Sequence, residues 1–331
     1  MKIISQHHRL VMLQARLVIG LVVMAMVLAI SHKAGNAQEI SPASRISQEV
    51  SAARLQSVPD ARRSVDARVG RGWISSETDI GEQQVVVIKE DLAQVTMGLS
   101  TGMLYTSNAG LTPVNEQQDW IWNTGVYAAW TPRITNRFYL SLGARQDFYR
   151  YQKFDEVLDF DSLRFNASLS YLVPKVDGLL LSVTYGLQRT TPSLNWSESL
   201  FRSHTIVVGV QKAFRFSRGN QLVASYASEF SINTEPSLLT RYEHVLQLAH
   251  QIRWTPKFDT TLAYRGAYND YREIEGLSAW NHTVALMANY AFTDWLSLTA
   301  NISYLWNQAD DANFDYDMNS IGASLNVTAK F

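Results

Sequence analysis

The sequence predicts an all-β protein: a single twelve-stranded antiparallel transmembrane β-barrel over residues 92–331, preceded by a short leader. Three observations carry this expectation. Apolar and polar residues alternate with a period of two in stretch after stretch, the pattern of a strand with lipid on one face and water on the other. The stretches number twelve, and a closed antiparallel barrel with both ends on one side of a membrane needs an even number. Turn-forming residues separate them at alternating short and long intervals, the hairpin period of such a barrel.

Composition narrows the alternatives. The chain has 331 residues and no cysteine, so disulfide frameworks, thiolate metal sites and cysteine nucleophiles are excluded together. Its mean hydropathy is -0.12, and no apolar run beyond the N-terminus reaches the length of a membrane-spanning helix. Aromatic residues make up 11% of the chain, with nine Trp and fifteen Tyr. Amphipathic rings at that density collect at membrane interfaces.

Residues 1–37 read as a secretory signal. Lys2, His7, His8, Arg9 and Arg16 form the positive region, Leu17 to Ile30 the apolar core, and Gly35-Asn36-Ala37 a small-x-small cleavage site. The segment holds four of the 29 Lys and Arg and no acid, so the remainder carries 25 basic against 30 acidic residues. A net charge of that sign argues against nucleic acid as a partner.

Residues 38–91 form a polar leader. Ile46, Val50, Ala53, Leu55 and Val58 make a weak helical stripe that Pro59 interrupts, and Arg62, Arg63, Arg68 and Arg71 follow. A mobile periplasmic leader and a segment that plugs the barrel both fit this composition. Val85 to Ile88 is a short β run without an assigned place.

From Leu92 the alternation is continuous. Strand one sets Val95, Met97, Leu99, Met103 and Tyr105 outward, and strand two Trp122, Val126, Ala128 and Trp130. Strand three sets Phe138, Leu140, Leu142 and Phe148 outward with Arg145 and Asp147 on the reverse; strand four sets Leu163, Phe165, Leu169 and Tyr171 outward with Arg164 opposite. Leu181, Val183 and Tyr185 mark strand five, Ile206, Val208 and Val210 strand six, and Leu222, Tyr226 and Phe230 strand seven. Leu246 and Leu248 mark strand eight, Leu262 and Tyr264 strand nine, Val284 and Leu286 strand ten, and Leu298, Ile302 and Tyr304 strand eleven. Between them, Thr131-Pro132-Arg133, Val173-Pro174-Lys175, Arg218-Gly219-Asn220, Thr255-Pro256-Lys257 and Thr293-Asp294 read as tight connections, where proline ends the ladder for want of an N–H.

The twelfth stretch, Asp317 to Phe331, alternates throughout: Ile321, Ala323, Leu325, Val327, Ala329 and Phe331 share one side. It resembles the C-terminal assembly signal of Gram-negative outer-membrane barrels in Gly322, Leu325, Val327 and the terminal Phe331. With the signal segment and the strand count, residues 92–331 look like an outer-membrane β-barrel protein. Ile80 to Gln83, Phe148 to Tyr151 and Leu158 to Leu163 are similar to a group of barrels labelled uncharacterised. The resemblance implies an outer-membrane location with both termini periplasmic, outer-membrane lipid and the barrel assembly machinery as partners, and small solutes as passengers. It implies no activity. On this topology the tight connections are periplasmic and the longer, acidic links extracellular.

Three sets of residues carry the chemistry to be weighed. Arg145, Asp147, Arg164, Glu243, Arg253 and Arg265 fall on inward positions; they serve either as ion pairs filling a narrow barrel or as the charged constriction of a solute channel. Acids of the longer links, such as Asp159, Asp270 and Asp310, form either a cation-concentrating rim or a plain solvated one. Ser228, His204 and His244, with His282, share the outward register, and the twelve-stranded outer-membrane phospholipases perform Ser/His chemistry on that face, where an imidazole takes the hydroxyl proton. No sequence motif surrounds Ser228, so the expectation is a non-enzymatic barrel, a narrow porin-like channel or a structural envelope protein, with a lipid hydrolase as the alternative. No cofactor or metal site is expected, since no phosphate loop, dinucleotide fingerprint, zinc spacing or calcium loop occurs.

Overall fold

In the computed structural model the described residues are 95–331, except 114, 115, 133, 136, 175, 177 and 218 and the side chains of 156 and 157. The signal segment, the leader, the Val85 to Ile88 run and positions 92–94 of the expected first strand lie outside them. Twelve strands follow one another: β1 (Val95–Thr106), β2 (Asp119–Trp130), β3 (Phe138–Tyr151), β4 (Phe160–Leu172), β5 (Leu179–Pro192), β6 (Phe201–Ser217), β7 (Asn220–Glu235), β8 (Arg241–Arg253), β9 (Phe258–Tyr271), β10 (Ser278–Ala291), β11 (Leu296–Ala309) and β12 (Tyr316–Lys330). Among the described residues a short α-helix, α1 (Asp155–Leu158), sits between β3 and β4, and single 3-10 turns follow β7 and β11. Each strand pairs antiparallel with its sequence neighbours, and β1 pairs with β12 to close the barrel.

The surface is inverted relative to a water-soluble fold. Val183, Leu262 and Ile302 are more than half exposed, whereas Asn289, Thr299 and Asn326 on the inner wall are buried. Large apolar side chains ringing the outside and amides inside are stable only if the outside is lipid. Every residue expected to face outward does so, because the pleat places alternate side chains on opposite faces and the ladders keep register almost throughout. The described register shifts lie between β6 and β7, at His204/Thr205 and Arg215/Ser217.

Closure depends on the last strand. The Phe331 N–H donates to the Val95 carbonyl at 2.9 Å, and the Val95 N–H donates back to Phe331 at 3.2 Å. Gly322 faces inward opposite Leu104, and a Cβ there would stand 2.7 Å from the Met103 carbonyl oxygen. The seam is therefore packed backbone against backbone, and only glycine admits that approach.

The connections differ less in length than the sequence suggests. The links at 236–240 and 272–277 are compact, while the expected tight turn at Thr131-Pro132-Arg133 is part of a longer connection, 131–137. Ladders run on through residues whose side chains lack alternation, because backbone pairing does not need it. The start of the link after β1 folds over the inner wall: Ala109 joins a buried cluster with Leu104, Ile121, Tyr149, Tyr151, Leu158 and Phe160, and Leu111 joins Leu305, Tyr316 and Met318 on the other side of the closing seam.

Candidate functional site

Charged clusters stand on the inner wall at β3–β4 and at β8–β9. At the first, Arg145 of β3 and Arg164 of β4 are direct cross-strand partners, an arrangement that repels unless an anion lies between. Asp147, two positions along β3 and therefore on the same face, supplies it. Its carboxylate accepts from Arg145 Nε at 2.8 Å and from an Arg164 terminal nitrogen at 2.9 Å, and it is fully buried. Arg145 also donates to Ser100 Oγ at 3.0 Å, and Tyr127 lies 5.8 Å from its guanidinium carbon. Gly125, opposite Asp147 in register, leaves the space in which this cluster fits, since a Cβ there would stand 2.6 Å from an Arg145 terminal nitrogen. The two guanidiniums share this one buried carboxylate.

At the second, Glu243 of β8 accepts from Arg241 at 3.4 Å and forms a close ion pair with Arg265 of β9. Glu229 of β7 is its direct cross-strand partner, so the acids and bases here balance. Arg265 continues to Asn281 Oδ1 at 3.3 Å, and further round the wall Asn326 Nδ2 reaches Thr299 Oγ1 at 3.2 Å and Thr299 reaches Asn289 Oδ1 at 3.3 Å. These contacts line β9 to β12 with amides and hydroxyls. Sequence reasoning named Arg145, Asp147, Arg164, Glu243 and Arg265 and missed Arg241, Glu229 and Ser100. Their inward parity was the available signal. Arg253 is the exception among the named residues: it stands at the turn end of β8, in register with Asp259, apart from the Glu243 cluster.

At the other end of the barrel, carboxylates hold the 152–159 link. Asp119 accepts the backbone N–H groups of Trp120 at 2.7 Å, Lys153 at 3.1 Å and Phe154 at 3.2 Å. Arg150 lies 2.8 Å from Asp161 and 3.8 Å from Asp159, and Asp159 accepts the Tyr151 N–H at 2.7 Å. Burial pushes the Asp159 carboxyl up to about 6, with Asp155 and Asp161 adding to the shift and the Tyr151 N–H and Arg150 opposing it. Part of the expected acidic rim is thus committed to internal contacts.

Three of the outward histidines form a repeated pattern, while His250 meets Asn220 Oδ1 instead. Tyr185 hydroxyl lies 2.7 Å from His204 Nδ1, Tyr226 hydroxyl 3.1 Å from His244 Nδ1, and Tyr264 hydroxyl 2.9 Å from His282 Nδ1. In each hairpin the histidine stands two positions from the residue paired with the tyrosine. The residue directly opposite the histidine is Leu187, Ser228 and Gly266 in turn. Ser228 Oγ lies 3.0 Å from His244 Nδ1, so the structure brings those two together. His204 belongs to a different hairpin, with Tyr185. Among the described residues no carboxylate hydrogen-bonds the His244 ring, and a Ser/His pair without an orienting acid lacks one part of the usual nucleophile system. No described group of three or more His, Asp or Glu side chains is arranged to hold a metal ion.

No protein-family model and no curated protein matches the sequence. Among solved structures, an outer-membrane channel from Pseudomonas putida F1 is similar at TM-score 0.52 and 11% identity, covering 72% of this chain and 96% of that one. The translocator domain of an autotransporter from Neisseria meningitidis matches at TM-score 0.39 and 11% identity, covering 72% and 90%. A bacterial polysaccharide outer-membrane secretin matches at TM-score 0.41 and 9% identity, covering 73% and 100%. The chain has the fold of an outer-membrane β-barrel, the class that its apolar exterior and polar interior also define.

Proposed function

We propose that this protein is a non-enzymatic, narrow channel of the outer membrane for small hydrophilic solutes, with both strand termini at the periplasmic end. The carrying observation is the inner wall itself: a run of amides and hydroxyls over β9 to β12 facing the Arg145–Asp147–Arg164 cluster across the lumen. Side chains of this kind are compatible with a water path, and a polar, charge-bearing wall is what a solute passage needs. The packing of Ala109 and Leu111 against the inner wall supports a constriction at the extracellular end. The P. putida neighbour, itself an outer-membrane channel, agrees with the reading through fold alone.

In this reading Phe331, Val327, Leu325 and Gly322 present the signal read by the assembly machinery, and the exposed apolar band meets lipid. Conductance of refolded protein in planar bilayers tests the channel. A small ohmic current whose reversal potential in a salt gradient moves when Arg164 is neutralised supports it. A sealed bilayer from correctly folded protein removes it in favour of a structural envelope role. The hydrolase reading keeps one observation, the Ser228 to His244 contact, and the same Tyr-His geometry recurring beside Leu187 and Gly266 counts against a catalytic purpose.

A further inference from the structure

Two arginines face each other on the outward surface of the β5–β6 hairpin. Arg189 and Arg202 are direct cross-strand partners near the end of the ladder that leads to the 193–200 link. Like charges in that position destabilise a sheet unless something anionic joins them. The protein supplies only part of the compensation. Arg202 meets Glu235 at 2.5 Å, a pair whose two side chains are 42% and 56% exposed, and exposed ion pairs hold weakly. Arg189 donates to the Trp196 carbonyl at 2.8 Å, a neutral acceptor. The Nε of Arg202 is buried and has no hydrogen-bond partner. Among the described residues the ion-pair partner of these two guanidiniums is thus one weakly held carboxylate, Glu235 of β7, while Glu198 of the link accepts from Asn195 instead.

The surroundings run from charge to hydrocarbon along one column. Two positions down the ladder from the arginines, Leu187 pairs with His204, whose ring meets Tyr185. Beyond these lie Val183, Ile206 and Val208, all exposed, and Leu163 flanks Arg189 from β4. Trp196, 56% exposed, is on the link just beyond the arginines. Planar guanidiniums bind phosphate oxygens in pairs, whereas the aliphatic column offers nothing to a free anion.

We propose that the outward face of the β5–β6 hairpin is a binding site for a phosphate-bearing lipid of the surrounding leaflet. Its phosphate bridges Arg189 and Arg202, its polar linkage reaches the Tyr185–His204 pair, and its acyl chain lies along Leu187, Val183 and Ile206. Glu235 competes with the phosphate for Arg202. The site is independent of whether the lumen conducts.

The test uses full-length protein refolded in neutral detergent, with native mass spectrometry counting bound diphosphoryl lipid A against its dephosphorylated form. Wild type is expected to retain the phosphorylated lipid preferentially. R189Q/R202Q loses about tenfold or more in retention, the loss expected when two charge-assisted contacts go, while K212Q, at the turn end of the same strand, changes nothing. E235Q tightens binding, since it frees Arg202, and this arm decides the matter if the double variant fails to show a heat-modifiable folded band. Equal retention of the dephosphorylated lipid, unchanged binding in R189Q/R202Q or weaker binding in E235Q overturns the proposal. Displacement of the lipid by inorganic phosphate at equal concentration also overturns it, by making the site one for a free anion.

Discussion

The Tyr226 hydroxyl lies 3.1 Å from His244 Nδ1, the same diagonal step across a hairpin that joins Tyr185 to His204 and Tyr264 to His282. Three copies at one register offset make the candidate catalytic histidine one member of a repeated Tyr–His series. Tyrosine and histidine each present an apolar ring and a polar tip, and a hydrogen bond between the tips satisfies both where little water reaches. The expected outcome is that S228A leaves phospholipid hydrolysis with calcium at the background of the wild type. Y264F, by contrast, loses one hydrogen bond and is expected to lower unfolding stability by about 1 kcal/mol, read from denaturant titration of tryptophan fluorescence.

The buried Asp147 makes a larger effect. Replacing it with Asn leaves Arg145 and Arg164 facing each other without their anion, and breaking a buried ionic cluster by removing one partner costs about 3–5 kcal/mol. D147N is expected to unfold at markedly lower urea concentration. D147N/R164M should recover much of the loss, because the unpaired charge goes with it. A double variant no more stable than the single one would show that the cluster does not hold the wall.

The closing seam gives a prediction on assembly. G322V forces a branched side chain against the Met103 carbonyl, a backbone atom that cannot rotate away. It is expected to reduce the fraction of heat-modifiable barrel on unboiled gels. Deleting Phe331 removes both hydrogen bonds with Val95 and should act in the same direction. Normal yields of folded barrel from both variants would locate closure elsewhere.

The Asp159 carboxyl predicts a pH response of the 152–159 link. Its folded value, about 6, lies above the ordinary 3.8, so the folded link holds the proton more tightly than the unfolded chain does. The sign follows from linkage: the associated stabilisation is fully present below about 4 and is lost as pH rises through about 6. Hydrogen exchange of the 152–158 amides, corrected for intrinsic rates, should be slower at pH 5 than at pH 7, and D159N should abolish the difference. Faster exchange at the lower pH would show that the carboxylate's bond to the Tyr151 N–H dominates instead.

Much of this molecule is legible as one-dimensional pattern. Strand number, the outward set and the inward placement of Arg145, Asp147, Arg164, Glu243 and Arg265 all follow from parity, because a pleated strand must send alternate side chains to opposite faces. Closure is legible in outline too, since an apolar exterior leaves no edge that lipid would tolerate. Parity says nothing about which strand positions stand side by side. The register between neighbours is a property of the assembled sheet, and it alone set Arg189 against Arg202, Glu229 against Glu243, and Ser228 beside His244 and not His204. It also set Arg253 against Asp259, away from Glu243. Link geometry was equally hidden, because Asp119 and Asp159 accept from N–H groups of Lys153, Phe154 and Tyr151 that the fold of the 152–159 link, and not parity, brings to them.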